Sequence, residues 1–379
     1  MTISLKVINS FHLIILSNSP GEVSNWVKPL VRFFRKADPD IYISLFLTPC
    51  QYASGREREF SKDITGLNDV FAPEETLRHV FSWPWFTRCY PKGAILFLGG
   101  DPLYAQLFSL KYRLPLYGYS EKNASLGLFF KKTFFRSKTG DLMFAGVNDF
   151  LLAVKQGAAS EVSKNESEDP LLFLTGSRPQ HFEKFFPLVC ETATLVLKNR
   201  PHTKIVIQVS PFISDSLLEK YASLVPAQCQ LSVERSLKVM TTARFMVTLP
   251  GTNTAEGMYL ALPMLVVCPL NYPELLILDG LAGLLDRLPF VGIWIKKAIL
   301  AYLKKQIVYV SHPNRISHRA VVPELIDSIT AEILSKTILT FLNDSKKIDA
   351  IRARLKKIGT GVDPREIMVS TILQGEDMR

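Results

Sequence analysis

Leu249-Pro250-Gly251-Thr252-Asn253-Thr254-Ala255-Glu256-Gly257-Met258 ends the apolar run Phe245 to Leu249 and reads as a strand, a tight glycine turn and the start of a helix. Free backbone N–H groups and the positive end of a helix dipole suit a diphosphate at Gly251 to Thr254, and the hydroxyls of Thr252 and Thr254 add donors. Glu256 is expected in the first helical turn, from which a carboxylate can accept two hydroxyls of a ribose. The same residues also fit an ordinary helix start, with Thr252 or Asn253 as cap and Glu256 complementing the dipole. Spacing alone supports both readings equally.

The alternation of strand and helix continues outward from this point. Strand-like runs fall at Leu171 to Leu174, Lys204 to Gln208 and Met264 to Val267, and in the first half at His12 to Leu16, Ile41 to Leu47 and Ala94 to Leu98, with a helical pattern over Val23 to Arg35. Such alternation predicts parallel sheets covered by helices. The 379 residues exceed what one hydrophobic core usually serves, so two domains of roughly 150 to 200 residues are expected. Gln156 to Pro170 is polar and lacks apolar periodicity, which makes it the linker candidate. The predicted organisation is α/β throughout: a first lobe over 1–165, a second over 170–345, and helical periodicity from Pro323 to Leu342 and from Lys346 to Lys357. The segment 346–379 is expected to cross back and brace the first lobe. Two lobes of this kind would face a cleft lined by the carboxyl ends of both sheets.

Composition narrows the function classes. Hydrophobic residues are 47% and charged residues 21%, the balance of a core-forming chain. The net charge of +10 draws the protein toward polyanions, and no nucleic-acid-binding signature accompanies it. Basic and aromatic residues interleave over Leu77 to Lys92, Leu126 to Lys138 and Phe290 to Lys305, which favours a lipid surface. In the second stretch Phe129, Phe130, Phe134 and Phe135 could seat among acyl chains beside Lys131, Lys132, Arg136 and Lys138. Each stretch could equally be a core helix with solvated edges. Leu281 to Leu303 is apolar but broken by Asp286, Arg287, Pro289, Lys296 and Lys297, so it is not expected to span a membrane. Five scattered cysteines indicate neither a disulfide framework nor a metal site, and a reducing cytosol is the simplest compartment.

Four further motifs sit where such folds carry chemistry. Thr175-Gly176-Ser177-Arg178 ends a strand, and Arg178 can pair two N–H groups with phosphate oxygens, although an arginine there is usually solvated. Tyr309 to Arg319, with His312, Asn314, Arg315, His318 and Arg319, is a dense polar loop that either forms a site or caps the helix expected from Pro323. Ser17-Asn18-Ser19-Pro20-Gly21-Glu22 joins the first strand to the first helix; Ser19, Gly21 and Glu22 are candidates to face substrate, and no phosphate-cradle fingerprint is present. Gly99-Gly100-Asp101-Pro102 places a carboxylate after a strand; Asp101 could accept the proton an attacking hydroxyl must lose, or cap the next helix. Asp38-Pro39-Asp40 formally matches a metal-binding Asp-x-Asp pattern but falls at the far edge of the sheet, reads as a turn, and no metal is expected.

Taken in order, these motifs resemble the lipid-A-disaccharide synthase family. The resemblance rests most on Gly176-Ser177-Arg178, on Pro250 to Met258 with Leu262-Pro263-Met264, and on Tyr309-Val310-Ser311 with Pro313-Asn314, Arg319 and Pro323-Glu324-Leu325. It implies two Rossmann-like lobes of the GT-B glycosyltransferase fold and an inverting, metal-independent and cofactor-free transfer of an acylated glucosamine from UDP to a lipid-linked acceptor. It further implies donor binding by Arg178, Gly251, Thr252, Asn253, Thr254, Glu256, Asn314 and Arg319, with Asp101 matching the family's catalytic aspartate. The expected setting is the cytoplasmic face of the inner membrane, peripherally bound, with no nucleic-acid partner and with a homodimer as one allowed assembly. Departures gather in the first lobe. The family's Ala-Gly-Glu-x-Ser-Gly-Asp loop here reads Ser19-Pro20-Gly21-Glu22-Val23-Ser24-Asn25, and an aromatic-rich stretch is replaced by Tyr117-Gly118-Tyr119-Ser120-Glu121-Lys122.

Overall fold

His12 to Ser17 is buried along its whole length, the pattern of a strand with neighbours on both edges and helices on both faces. In the computed structural model, which describes residues 10–49, 56–82, 90–121, 126–155, 170–233, 236–272 and 309–375, this segment is β1, at the centre of a six-stranded sheet. The linker stretch 156–169, Trp83 and Trp85, and the apolar and basic stretches 281–303 and 290–305 lie outside the described residues.

The chain divides into two compact units, residues 1–149 with 361–379, and residues 150–360. The first unit holds β1, β2 (Tyr42–Leu47), β3 (Asp69–Phe71), β4 (Gly93–Phe97), β5 (Leu116–Ser120) and β6 (Phe130–Phe135), all parallel, in the order β3-β2-β1-β4-β5-β6. Because side chains alternate along a strand, Leu13 and Ile15 face one layer and Ile14 and Leu16 the other. The first pair packs with Trp26, Leu30 and Phe34, and with Met368 and Ile372 from the C-terminal helix Arg365–Gln374. The second packs with Val80, Phe108 and Tyr112. Each such burial removes enough apolar surface to contribute about 1.5–3 kcal/mol.

Ionic and hydrogen-bonded contacts pin the C-terminal segment to the first unit. Asp141 N donates to the Val362 carbonyl (3.0 Å), and the buried Arg365 guanidinium pairs with Asp149 (2.8 Å to Oδ1) and Asp363 (2.6 Å) over the Phe33 ring (4.8 Å). Helix Ser345–Ile358 belongs to the second unit instead.

The second unit holds β7 (Leu171–Leu174), β8 (Ile205–Gln208), β9 (Cys229–Ser232), β10 (Phe245–Thr248), β11 (Met264–Pro269) and β12 (Glu324–Asp327), in the order β12-β11-β10-β7-β8-β9. Counted from its own first strand, this is the order of the first unit. Both are doubly wound sheets, with topological switch points between β1 and β4 and between β7 and β10, where such folds bind ligands.

Three expectations change. The helix predicted from Pro323 begins only at Ala331, capped by Thr330; Glu324 to Asp327 instead pair with Val266 to Pro269 as a parallel edge strand, an alternative that so short a segment, with two apolar residues between two acids, does not distinguish by itself. Residues 312–317 of the expected polar loop form a short helix, His312–Ser317. Within Leu126 to Lys138, residues 130–135 form β6, so Phe134 is fully buried in the core while Phe129 stays 54% exposed, and Arg136 is engaged by Glu121 and Asp141. The Asp38-Pro39-Asp40 segment is a turn closed by Asp40 N donating to Asp38 Oδ1 (3.0 Å). No described helix is long and apolar enough to cross a membrane.

Candidate functional site

In the second unit the loops after β7 and β10 are neighbours, because Leu174 and Thr248 at the ends of those strands pair in register. Gly176 (φ 88°) takes a left-handed backbone that favours glycine, and a Cβ there would press on His181 Cβ at 3.2 Å and meet Leu249 Cδ1 of the β10 loop in ordinary contact at 3.5 Å. Arg178 begins helix Pro179–Asn199 from an extended backbone and is partly exposed. Burial, with the Arg178 charge beside it, depresses the His181 pKa to about 4, so that imidazole is neutral at physiological pH.

Gly251 has φ 154° and ψ −164°, a region that essentially only glycine occupies, and among the described residues beyond its chain neighbours no heavy atom lies within 4 Å of where its Cβ would be. Those residues leave the turn open. Helix Thr252–Tyr259 starts after it with Gly251 as cap, so neither Thr252 nor Asn253 supplies the cap expected of it. Thr252 is exposed, Asn253 partly so and Thr254 buried. Because the helix already begins at Thr252, Glu256 falls in its second turn rather than its first, and it is 2% exposed.

Thr254 joins this turn to the 309–319 motif. Its Oγ1 donates to the Gly251 carbonyl (2.7 Å) and accepts from His312 N (3.0 Å). Asn314 is fully buried and saturated: Nδ2 donates to the Val322 carbonyl (2.9 Å) and Glu324 (2.8 Å), while Oδ1 accepts from Val321 N (2.7 Å) and Val322 N (2.9 Å). It holds the loop rather than presenting its amide outward. Arg319 is exposed beyond the short helix. In sequence Pro323-Glu324-Leu325 reads as a helix start, and the partners of Glu324 are visible only once β12 is in place.

In the first unit the loops after β1 and β4 flank the corresponding switch point. Ser19 and Glu22 form a capping box: Ser19 N donates to Glu22 Oε2 (3.3 Å) and Glu22 N to Ser19 Oγ (3.4 Å). Ser17 Oγ and Asn18 N also donate to that carboxylate (both 3.2 Å). Burial pushes the Glu22 pKa up to about 7 against these donors, and Glu121 adds to the rise. Gly99 explains how the loops fit, since a Cβ there would lie 1.9 Å from Glu22 Oε2. No motif signalled that clearance. Gly21 is partly exposed in the same turn, and a π-helical segment, Val23–Val27, follows it. Asp101 is exposed and caps helix Pro102–Tyr112, its Oδ1 accepting from Leu103 N (2.9 Å). Both roles weighed for Asp101 remain compatible with this geometry, because capping uses one carboxylate oxygen.

Two doubly wound Rossmann-like units with loops of this kind at their switch points are the architecture of GT-B glycosyltransferases and of UDP-sugar epimerases sharing that fold. The chain resembles the lipid-A-disaccharide synthase family: residues 128–282 match the family described as "Lipid-A-disaccharide synthetase". The lipid-A-disaccharide synthase of Methylobacillus flagellatus is 22% identical over 207 residues, covering 54% of this chain and 49% of that protein, and that of Nitrosococcus oceani is 20% identical over 98% of both. In the first of these matches, and in those to two Geobacter synthases, the chain spans about half the length of the relative. The crystal structure of UDP-GlcNAc 2-epimerase from Neisseria meningitidis bound to UDP-GlcNAc superposes with a TM-score of 0.55 at 11% identity, covering 96% of this chain and all of that one.

Proposed function

We propose that this chain is an inverting hexosyltransferase that moves an acylated glucosamine from UDP to a lipid-linked sugar acceptor. The observation that carries the reading is the adjacency of the Arg178 loop and the open Gly251 turn at the switch point of the second unit. A guanidinium and a row of helix-start N–H groups there suit a diphosphate, and the relative solved with UDP-GlcNAc shares the fold. Arg178, Gly251, Thr252, Asn253 and Arg319 would contact the donor directly. Thr254 and Asn314 would fix their frame, and Glu256 would reach the ribose once its helix end is covered by ligand.

In the transfer, the acceptor hydroxyl oxygen bonds to the anomeric carbon as the bond to the UDP oxygen breaks. The charge left on UDP falls to Arg178 and the turn, and the hydroxyl proton goes to a carboxylate of the first unit. Asp101 has the exposure to touch the acceptor, and Glu22 the proton affinity suited to a base at neutral pH. Ser19 and Gly21 line the same loop. No step calls for a metal or cofactor.

A peripheral membrane setting on the cytoplasmic face is supported by one surface of the first unit. Leu110, Leu128 and Phe129 are exposed around an open cavity of about 530 Å³ that also includes Arg113 and Lys131, a pairing of apolar and cationic groups suited to an anionic bilayer.

Incubating the chain with a UDP-acylglucosamine and a lipid monosaccharide should release UDP; absence of release with every lipid acceptor tried would reject the transferase. The epimerase-like fold favours a second reading, in which free UDP-GlcNAc is inverted at C2 without lipid. Product formation from UDP-GlcNAc alone would select it.

A further inference from the structure

We infer that Glu324 is a positioning residue for the nucleotide site: without touching the nucleotide, it sets the Gly251 turn through Ser311, His312 and Thr254. This rests on the reading of the second unit as the UDP-binding one.

The Glu324 carboxylate gathers the segment before the short helix. Val310 N donates to Oε2 (3.0 Å), while Ser311 N (2.8 Å), Ser311 Oγ and Asn314 Nδ2 (2.8 Å) all donate to Oε1. Ser311 and Asn314 are fully buried, so these donors would go unpaired if the carboxylate left. The next residue, His312, uses its N–H on Thr254 Oγ1 (3.0 Å), and Thr254 Oγ1 in turn donates to the Gly251 carbonyl (2.7 Å). A hydroxyl with one donor and one firm acceptor contact has its rotor fixed from both sides. The peptide that aims the Gly251 turn is thereby tied to an edge strand more than seventy residues away in sequence.

The turn needs such a tie. Among the described residues beyond its chain neighbours nothing lies within 4 Å of the missing Gly251 Cβ, so their packing does not hold it on that side. Glycine also has the widest backbone freedom of any residue. A charge-assisted network supplies rigidity where neighbouring side chains do not. Glutamine is the informative replacement, since it keeps the shape but turns one acceptor oxygen into a donor facing backbone N–H groups.

The test is UDP titration by calorimetry of the parent chain, Glu324→Gln, Thr254→Val and the double variant, with amide hydrogen exchange over 249–258 measured on each. Each single variant should weaken UDP on the order of 10-fold. The double variant should lose little more than the worse single one, because both interrupt one path. Exchange at 252–254 should rise in Glu324→Gln even without UDP. Losses that multiply, or Glu324→Gln binding UDP as the parent does with exchange unchanged, would overturn the inference. If the parent itself binds no UDP yet Glu324→Gln still loosens 252–254, the positioning stands and the nucleotide reading fails. Should Glu324→Gln not fold, Ser311→Ala with Thr254→Val gives the same cycle.

Discussion

The two units share a strand order and each ties a loop to a glutamate, but they differ in what those loops carry. In the second, the loops at the ligand-binding edge are fixed by neutral and charge-assisted bonds that saturate Asn314, Thr254 and Glu324. In the first, the corresponding loops carry a half-buried carboxyl with its pKa near 7, an exposed aspartate, and a glycine whose only apparent task is to leave space. The contrast fits the proposed chemistry. A nucleotide diphosphate presents constant charge, so a rigid set of donors serves it; a hydroxyl that must give up a proton needs a group able to change its charge.

The contrast breaks most visibly at Asp101. Asp101→Asn keeps a good helix cap and should leave the fold intact, yet lower kcat by about 10²–10⁴-fold if this carboxylate handles the proton. Unchanged turnover would leave Asp101 a cap alone. Next comes Gly99→Ala, whose Cβ would collide with Glu22 and displace the carboxyl; a loss of about 100-fold in kcat with UDP affinity preserved is expected, since the damage stays in the first unit. Calorimetry beside steady-state kinetics checks both halves.

Arg178→Lys should weaken UDP by about 10-fold with a smaller effect on the acceptor KM, because a point charge replaces a paired donor. Equal effects on both substrates would blur the division between units. The smallest effect is on stability. An unfolded glutamate titrates near 4.5 and Glu22 near 7, so between those values the folded chain holds a proton the unfolded chain lacks, and stability falls as pH rises through the window. Glu22→Gln should therefore be more stable than the parent above pH 7, on the order of 1 kcal/mol for a group that keeps some solvent contact. Urea midpoints at pH 5 and pH 8 measure it. The low-pH limb of kcat/KM, centred near 7 in the parent, should disappear in the same variant.

Much of this was legible along the chain. The apolar runs that became β1, β4, β7, β8, β10 and β11 are continuous and bounded by turn residues, and a strand buried on both faces has no other way to look. The Gly251 turn stood out because a turn between strand and helix has few residue solutions, whereas Arg178 alone reads as a solvated arginine and drew its role from the resemblance. The lower-contrast elements did not stand out. β12 is four residues at a sheet edge, and β6 mixes aromatic and basic residues without the period of a strand, in a pattern shared with a surface helix.

What the sequence determined by itself, then, was the two-fold α/β plan and the short motifs at strand ends, because both depend on local periodicity and backbone freedom. Only the tertiary structure decided that Phe134 lies in the core, that Glu324 serves the 311–314 loop, that Asn314 is spent on backbone groups, and that Gly99 makes room for Glu22. Those facts join residues far apart in the chain, and burial, saturation of hydrogen bonds and steric clearance exist only between groups that folding has brought together.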